Sequence, residues 1–485
     1  MSRVLENLQP NEVFKYFEDL TRIPRGSGNE KAVSDYLVNF AKEHNLEVIQ
    51  DEALNVIIRK KATKGYENAP KVVIQGHMDM VCAKEAGSKH DFEKDPINLK
   101  IDGDFIRTEG TTLGADDGIA VAYGLAVLAS NDIEHPALEL LVTAEEETGM
   151  GGAQALDPKN VQGRMLINID SEEEGKLLVS CAGGVRDEIR LPISWEKVCE
   201  GYSNYIVKIG GLKGGHSGME INKGRGNANK LMGRFLYDVI HSMDVKVVSI
   251  HGGAKFNAIP REAEINLLVK EENKKALEEK IQNWTAVFKN ELEASDKDVN
   301  VVLEKSDCKP EKVFSKDTLE KAVYLLCLIP NSVQTMSMAI EGLVESSTNL
   351  GVVITKEDFI AFDSCIRSSV DTLKQEIHEK QEILAKTYGA EIESIAPYPA
   401  WQYNPDSELR KVCENVYGNL FDEKPEVAAI HAGLECGLFT GKFEDMDMIS
   451  FGPNMYDVHT PSEHLSISST QRVWKLLVEI LKEIR

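Results

Sequence analysis

The chain has 485 residues, 42% of them hydrophobic and 28% charged, with a formal net charge of −24. Such a length exceeds what one hydrophobic core ordinarily supports and calls for two or more domains, and the composition is that of a folded globular protein. The acidic balance argues against nucleic acid or an anionic membrane as partner, and no uninterrupted apolar run is long enough to span a bilayer. The opening residues, 1–7, lack the apolar run of a signal peptide, and the eight cysteines (82, 181, 199, 308, 327, 365, 413 and 436) include no CxxC pair. A cytoplasmic protein with reduced, buried thiols is expected.

Residues 11–20 and 29–43 carry apolar side chains at helical spacing. Short strands are expected at 46–49, 55–58 and 71–74, a helix rich in Ala and Val at 117–129, and near-continuous apolar strands at 138–143 and 164–169. This is an α/β alternation, the layout in which sites gather beyond the carboxyl ends of strands. From about Asp187 the pattern changes. Longer strands at 205–209, 245–250 and 263–269 accompany helices at 228–241 and 271–294, with glycine pairs at 210–211, 214–215 and 252–253 marking turns. An amphipathic helix at 368–388 leads back to a tail with a helix at 407–417, a strand at 446–451 and a last helix at 468–484.

Five short segments along this path each follow an apolar run. They hold His77 and Asp79; Asp116 and Asp117; Glu145, Glu146 and Glu147; Asp170; and, far downstream, His459. Taken singly, each has an ordinary explanation: a strand-end histidine, aspartates capping a helix, a solvated acidic helix start. Taken together, two histidines and several carboxylates form the ligand set of two divalent metals, with carboxylates left over to work on water. If His459 belongs with the early ligands, the tail returns to the first domain. Residues 1–186 and 398–485 then form one discontinuous domain, and 187–397 an inserted α+β domain.

These segments resemble the metallopeptidase M20 family, and within it the aminoacyl-histidine dipeptidase branch. The resemblance runs from Pro24-Arg25-Gly26-Ser27-Gly28-Asn29-Glu30 through the five segments to the tail. It is carried also by Gly214-Gly215-His216-Ser217-Gly218, Asn257-Ala258-Ile259-Pro260-Arg261-Glu262 and His431-Ala432-Gly433-Leu434-Glu435-Cys436-Gly437. It implies a di-metal catalytic domain with a mixed sheet flanked by helices, a large inserted lid that also dimerises, and hydrolysis of unblocked dipeptides, Xaa-His and carnosine-type among them.

The implied roles are specific. His77 and Asp170 would hold one metal, Glu147 and His459 the other, with Asp116 bridging. Asp79 would buttress His77, and Glu146 would be the general base that later protonates the leaving amine. His216 would stabilise the oxyanion, Asn257 and Arg367 would grip the substrate's carboxylate, and Glu435 joins the substrate-binding set. The pair at 146–147 is selected because it precedes Thr148-Gly149; a register shifted by one, toward Glu145, would exchange base and ligand. Zinc is the expected metal, and such ligands also accept cobalt or manganese. Within the same family, a carboxypeptidase, tripeptidase or aminoacylase is the competing reading. A non-catalytic metal-binding scaffold is the competitor from another class, and the intact Glu146 position speaks against it.

Overall fold

The computed structural model describes residues 3–198 and 200–485. The chain divides into two compact units: one runs up to Ser180 and includes Tyr403–Ala429 and Leu434–Arg485, the other comprises Cys181–Gln402 and Ile430–Gly433.

An eight-stranded mixed sheet forms the centre of the first unit. Its strand order is Glu47–Gln50, Val56–Lys60, Leu138–Thr143, Val72–His77, Met165–Asn168, Asp447–Ser450, Lys176–Cys181 and Glu426–Ile430. Val72–His77 runs parallel to both Leu138–Thr143 and Met165–Asn168, and Asp447–Ser450 runs parallel to Met165–Asn168. The carboxyl ends of these four strands therefore lie along one edge. Every residue of Val72–His77 and Leu138–Thr143 is buried, which is why these segments read as unbroken apolar runs rather than as alternation. The helix Ala115–Ala129 is buried almost all round. It presses on the sheet where Gly76 and Gly124 leave room: a Cβ on Gly76 would stand 2.6 Å from the Ala120 Cβ, and one on Gly124 2.3 Å from Leu140 Cδ1. A small sheet brings Met455–Tyr456 and His464–Ser466 beside Phe105–Arg107, so the loop bearing His459 is held at both ends.

The second unit is built on a nine-stranded sheet. Along it lie Asn300–Lys305, Tyr202–Gly210, Ala263–Lys270, Val245–Gly252, Val344–Thr355, Phe359–Ser368, Gly183–Pro192 and Glu391–Tyr398, with Ser332–Met336 paired to Val344–Thr355. Its pairings are antiparallel, and helices pack on it through Phe235, Leu236, Phe288 and Leu326. Burial alternates along Tyr202–Gly210, the pattern of a sheet covered on one face.

Two expectations need correction. The helix expected from residue 368 begins at Asp371, and Ser368 closes a ten-residue strand instead. That strand escapes a hydropathy reading because it buries polar groups such as Asp363, which is gripped by Arg186 at 2.8 Å. The thiols are not uniformly buried, since Cys82 and Cys308 are exposed. No disulfide joins the described cysteines; Cys199, like residues 1–2, lies outside the described residues.

Candidate metal centre

The carboxyl ends of the parallel strands supply the site. His77 is the last residue of its strand; Glu146 and Glu147 follow Leu138–Thr143, and Asp170 follows Met165–Asn168. His77 Nε2 lies 3.0 Å from Asp116 Oδ1 and 3.5 Å from Asp170 Oδ1. His459 Nε2 lies 3.0 Å from Asp116 Oδ2 and 3.0 Å from Glu147 Oε2. Two three-residue groups result, His77–Asp116–Asp170 and Asp116–Glu147–His459, each with its ligand atoms within 4.8 Å of one another and with Asp116 common to both. A third grouping, His77–Glu146–Glu147, puts Glu146 beside them, while Glu145 is exposed and belongs to none of the groups.

Asp79 organises this arrangement from behind. Its fully buried carboxylate accepts the N–H groups of Glu146 and Glu147 at 3.1 and 3.2 Å, accepts Ser27 Oγ at 2.8 Å, and lies 3.4 Å from His77 Nδ1. One side chain thus sets both the ring of His77 and the turn that aims the two glutamates.

Several supporting residues carried no signal for this role in the sequence. Glu463, buried and more than three hundred residues downstream, accepts the N–H groups of Leu113, Gly114 and Ala115 at 2.7, 3.0 and 2.8 Å, and of Asp116 at 3.4 Å. The helix start is therefore satisfied by a distant carboxylate, and the aspartates do not cap it. Asp116 and Asp117 have non-helical backbone angles. Asp117 instead accepts the His77 N–H at 3.2 Å. The buried Arg25 donates to the carbonyls of Met78 and Asp79, both at 2.9 Å, and to that of Gly114. Arg25 and Glu463 together clamp Gly114 from opposite sides. Arg25 stood inside a quoted motif; Glu463 is recognisable only once the chain is folded.

The electrostatics favour a bound cation. Burial, then repulsion from Asp170, Glu435 and Glu147, pushes the Glu146 carboxyl up to about 9. Burial raises Asp170 to about 6, with Asp116 and Glu147 adding to the shift. Against this, hydrogen bonds that His459 donates to Asp116 and Glu147 push it up to about 11. Burial lowers the His77 imidazole, but Asp116, Asp170 and Asp79 more than reverse that and hold it well above its ordinary value. Burial likewise raises Asp79, yet His77 and Ser27 bring it down to about 2. Buried carboxylates outnumber the positive charges that face them, and Glu147 Oε1 is buried without a hydrogen-bond partner. Two imidazoles and three carboxylates converging this way fit divalent cations.

Three of the remaining candidates, His216, Asn257 and Arg367, belong to the second unit. Gly215–His216 pairs with Ala258–Ile259, and Ser217 N–H donates to the carbonyl of Asn257 at 3.0 Å. His216 Nδ1 accepts the N–H groups of Gly218 and Met219 at 3.3 and 3.1 Å, which leaves its Nε2 for another partner. Burial, then Arg367, lowers its pKa. Arg367 sits on the Phe359–Ser368 strand and is buried. It donates to Tyr398 Oη at 2.9 Å and has no carboxylate within ion-pair distance among the described residues. Glu435, by contrast, lies in the first unit, fully buried and pushed up to about 7 by burial. His464 stacks with Tyr456 and does not join the ligand groups.

A family model described as peptidase family M20/M25/M40 matches residues 73–483. The cytosol non-specific dipeptidase of Escherichia coli (strain K12) is 40% identical over 482 residues, 99% of this chain and 99% of that protein. Among solved structures, an aminoacylhistidine dipeptidase from Vibrio alginolyticus matches with a TM-score of 0.94 at 39% identity, covering 100% of this chain and 98% of that one. A tripeptidase from Staphylococcus aureus, 15% identical with a TM-score of 0.56 and covering 98% of this chain and 99% of that one, shares the fold alone.

Proposed function

The chain belongs to the peptidase family M20/M25/M40, and from that membership we propose a metal-dependent dipeptidase acting on unblocked dipeptides, Xaa-His and carnosine-type substrates among them. The observation that carries this reading is the pair of ligand groups sharing Asp116, with Glu146 next to both. The two long-range relatives, each named as a dipeptidase, support dipeptides over tripeptides or N-acyl amino acids.

His77, Asp170 and Asp116 would hold one cation on this reading, and Glu147, His459 and Asp116 the other, zinc being the metal proposed. When bound, such cations polarise a peptide carbonyl and make water more acidic. Glu146 takes the proton of the attacking water and returns it to the leaving amine. Its need for that role is a deprotonated carboxylate, and the burial and like-charge repulsion that favour its protonated form are offset once positive charge enters the cluster. Asp79 keeps His77 and the 146–147 turn aligned. Arg367, a buried guanidinium lacking a carboxylate partner, and Asn257 are the groups we assign to the substrate's carboxylate, and His216 to the oxyanion.

We extend the proposal to a catalytic domain at 1–186 and 398–485 with a lid and dimerisation domain at 187–397. A homodimer is to be checked by light scattering. A cytoplasmic location rests on the name of the Escherichia coli relative.

The test is a hydrolysis panel of carnosine, other dipeptides, a tripeptide and an N-acyl amino acid, run with chelator and with zinc restored. Dipeptide cleavage that disappears with chelator and returns with zinc is expected. Preference for the tripeptide or the N-acyl substrate would overturn the assignment.

A further inference from the structure

Asn257 is held through its backbone, because its side-chain amide makes no hydrogen bond among the described residues. Its carbonyl accepts Ser217 N–H at 3.0 Å. The carbonyls on either side of it, those of Phe256 and Ala258, both accept Asn349 Nδ2, at 3.2 and 2.9 Å. Asn349 lies on the Val344–Thr355 strand of the second unit and is 1% exposed. Its Oδ1 accepts Asn227 Nδ2 at 3.2 Å, and Asn227 Oδ1 caps the Ala228–Ser242 helix by accepting Lys230 N–H at 3.2 Å.

The strand is shaped for this contact. Its pairing with Phe359–Ser368 shifts register between Leu350 and Val352, and an irregularity of this kind frees backbone groups and re-aims side chains. The Leu350 N–H donates to Asn331 Oδ1 at 2.9 Å, and the Leu350 carbonyl accepts Asn227 and Asn229, both at 3.1 Å. Gly351, inside the shift, lets the loop lie directly on the strand: a Cβ there would stand 2.3 Å from the Phe256 carbonyl oxygen. Asparagine is a poor strand former, and burying its amide is costly unless its hydrogen bonds are made. Here both bonds from Nδ2 go to the segment that carries Asn257. His216 has a support of its own, since Glu220 Oε2 accepts its N–H at 3.0 Å.

We propose that Asn349 is a positioning residue for substrate recognition, presenting the Asn257 amide to the carboxylate of the dipeptide. The inference rests on the dipeptidase reading and on the role proposed there for Asn257, and it adds a residue that does not touch substrate. Without the clamp, segment 256–258 keeps its sequence but loses the fixed aim of that amide.

The experiment compares kcat/KM for L-alanyl-L-alanine and for its C-terminal amide on zinc-loaded protein. Asn257→Ala is expected to lower the preference for the free carboxylate by about tenfold, the scale of one hydrogen bond to a charged group. Asn349→Leu, similar in volume but without donors, should reproduce that loss, chiefly in KM for the free acid, with zinc content unchanged. Added to Asn257→Ala, it should change the preference by less than about twofold, because it acts through Asn257. If the leucine variant fails to fold, Asn349→Thr, which keeps one donor, is read by the same criteria. An unchanged preference in Asn349→Leu, equal losses on both substrates, or losses that add in the double variant each overturn the proposal and leave the dipeptidase reading standing. An unchanged preference in Asn257→Ala removes the role of Asn257 and the proposal with it. If the wild type cleaves neither substrate, the dipeptidase reading itself fails and the proposal falls with it.

Discussion

On the proposed reading, two adjacent glutamates would divide the labour of the centre because one turn of backbone points them differently. Glu147 meets His459 at 3.0 Å, whereas Glu146 has no such partner and is repelled by the carboxylates around it. Replacing Glu146 with Ala should lower turnover by roughly 10²–10⁴-fold. Metal content, measured by emission spectroscopy, should stay at the wild-type level. Metal lost with turnover retained would exchange the two roles. The sequence marked this triplet of glutamates but left its register to the Thr148-Gly149 context. The fold supplies what the sequence lacked, since Glu145 is exposed and outside the ligand groups. Arg367 shows the opposite limit: four residues before a helix it looks ordinary, and only its burial on a strand reveals a guanidinium without a carboxylate.

Elements, not single side chains, set how closely the ligands can approach. The Val72–His77 strand and the Ala115–Ala129 helix meet at Gly76, where an added Cβ would stand 2.5 Å from Asp117 Oδ2 and 2.6 Å from the Ala120 Cβ. Gly76→Ala should therefore cost about 1–3 kcal/mol of stability through overpacking. It should also weaken zinc binding, because Asp117 accepts the backbone N–H of His77. Urea unfolding and a competitive zinc titration check the two effects. Glu463 fixes the start of that same helix by accepting four N–H groups. Glu463→Ala should reduce zinc affinity by about 10–100-fold, the range found when groups that orient metal ligands are removed. Unaltered affinity would show that the loop holds Asp116 unaided. Unbroken apolar runs made the central strands legible, because strands buried on both faces are apolar throughout. The strands of the second unit were harder to read where polar pairs such as Arg186–Asp363 lie inside them.

For the molecule as a whole, the centre stores like charge that a cation relieves. Chelation should destabilise the protein, by about 2.7 kcal/mol relative to a solution holding free zinc at 100 times its dissociation constant, read from thermal or urea unfolding. The pH dependence has a definite sign. In the cation-free protein His459 is raised from 6.5 to about 11 by Asp116 and Glu147. That contribution to stability is complete below pH 6.5 and is lost as pH rises through about 11. A neutral imidazole is needed for a ligand, so zinc binding at pH 7 should release at least one proton and tighten as pH rises. Calorimetry in two buffers of different ionisation enthalpy measures this, and no proton exchange would contradict it. By itself the sequence determined the family and the mixed α/β class and singled out the histidines and carboxylates that the fold gathers, because those are written in residue chemistry next to apolar runs. Tertiary structure alone decided that Glu463 rather than an aspartate caps the helix at the centre, that Arg25 clamps Gly114, and that Glu435 lies fully buried against Gln75 and Thr143. Each of these depends on groups brought together from hundreds of residues apart, where burial removes the water that would otherwise satisfy them.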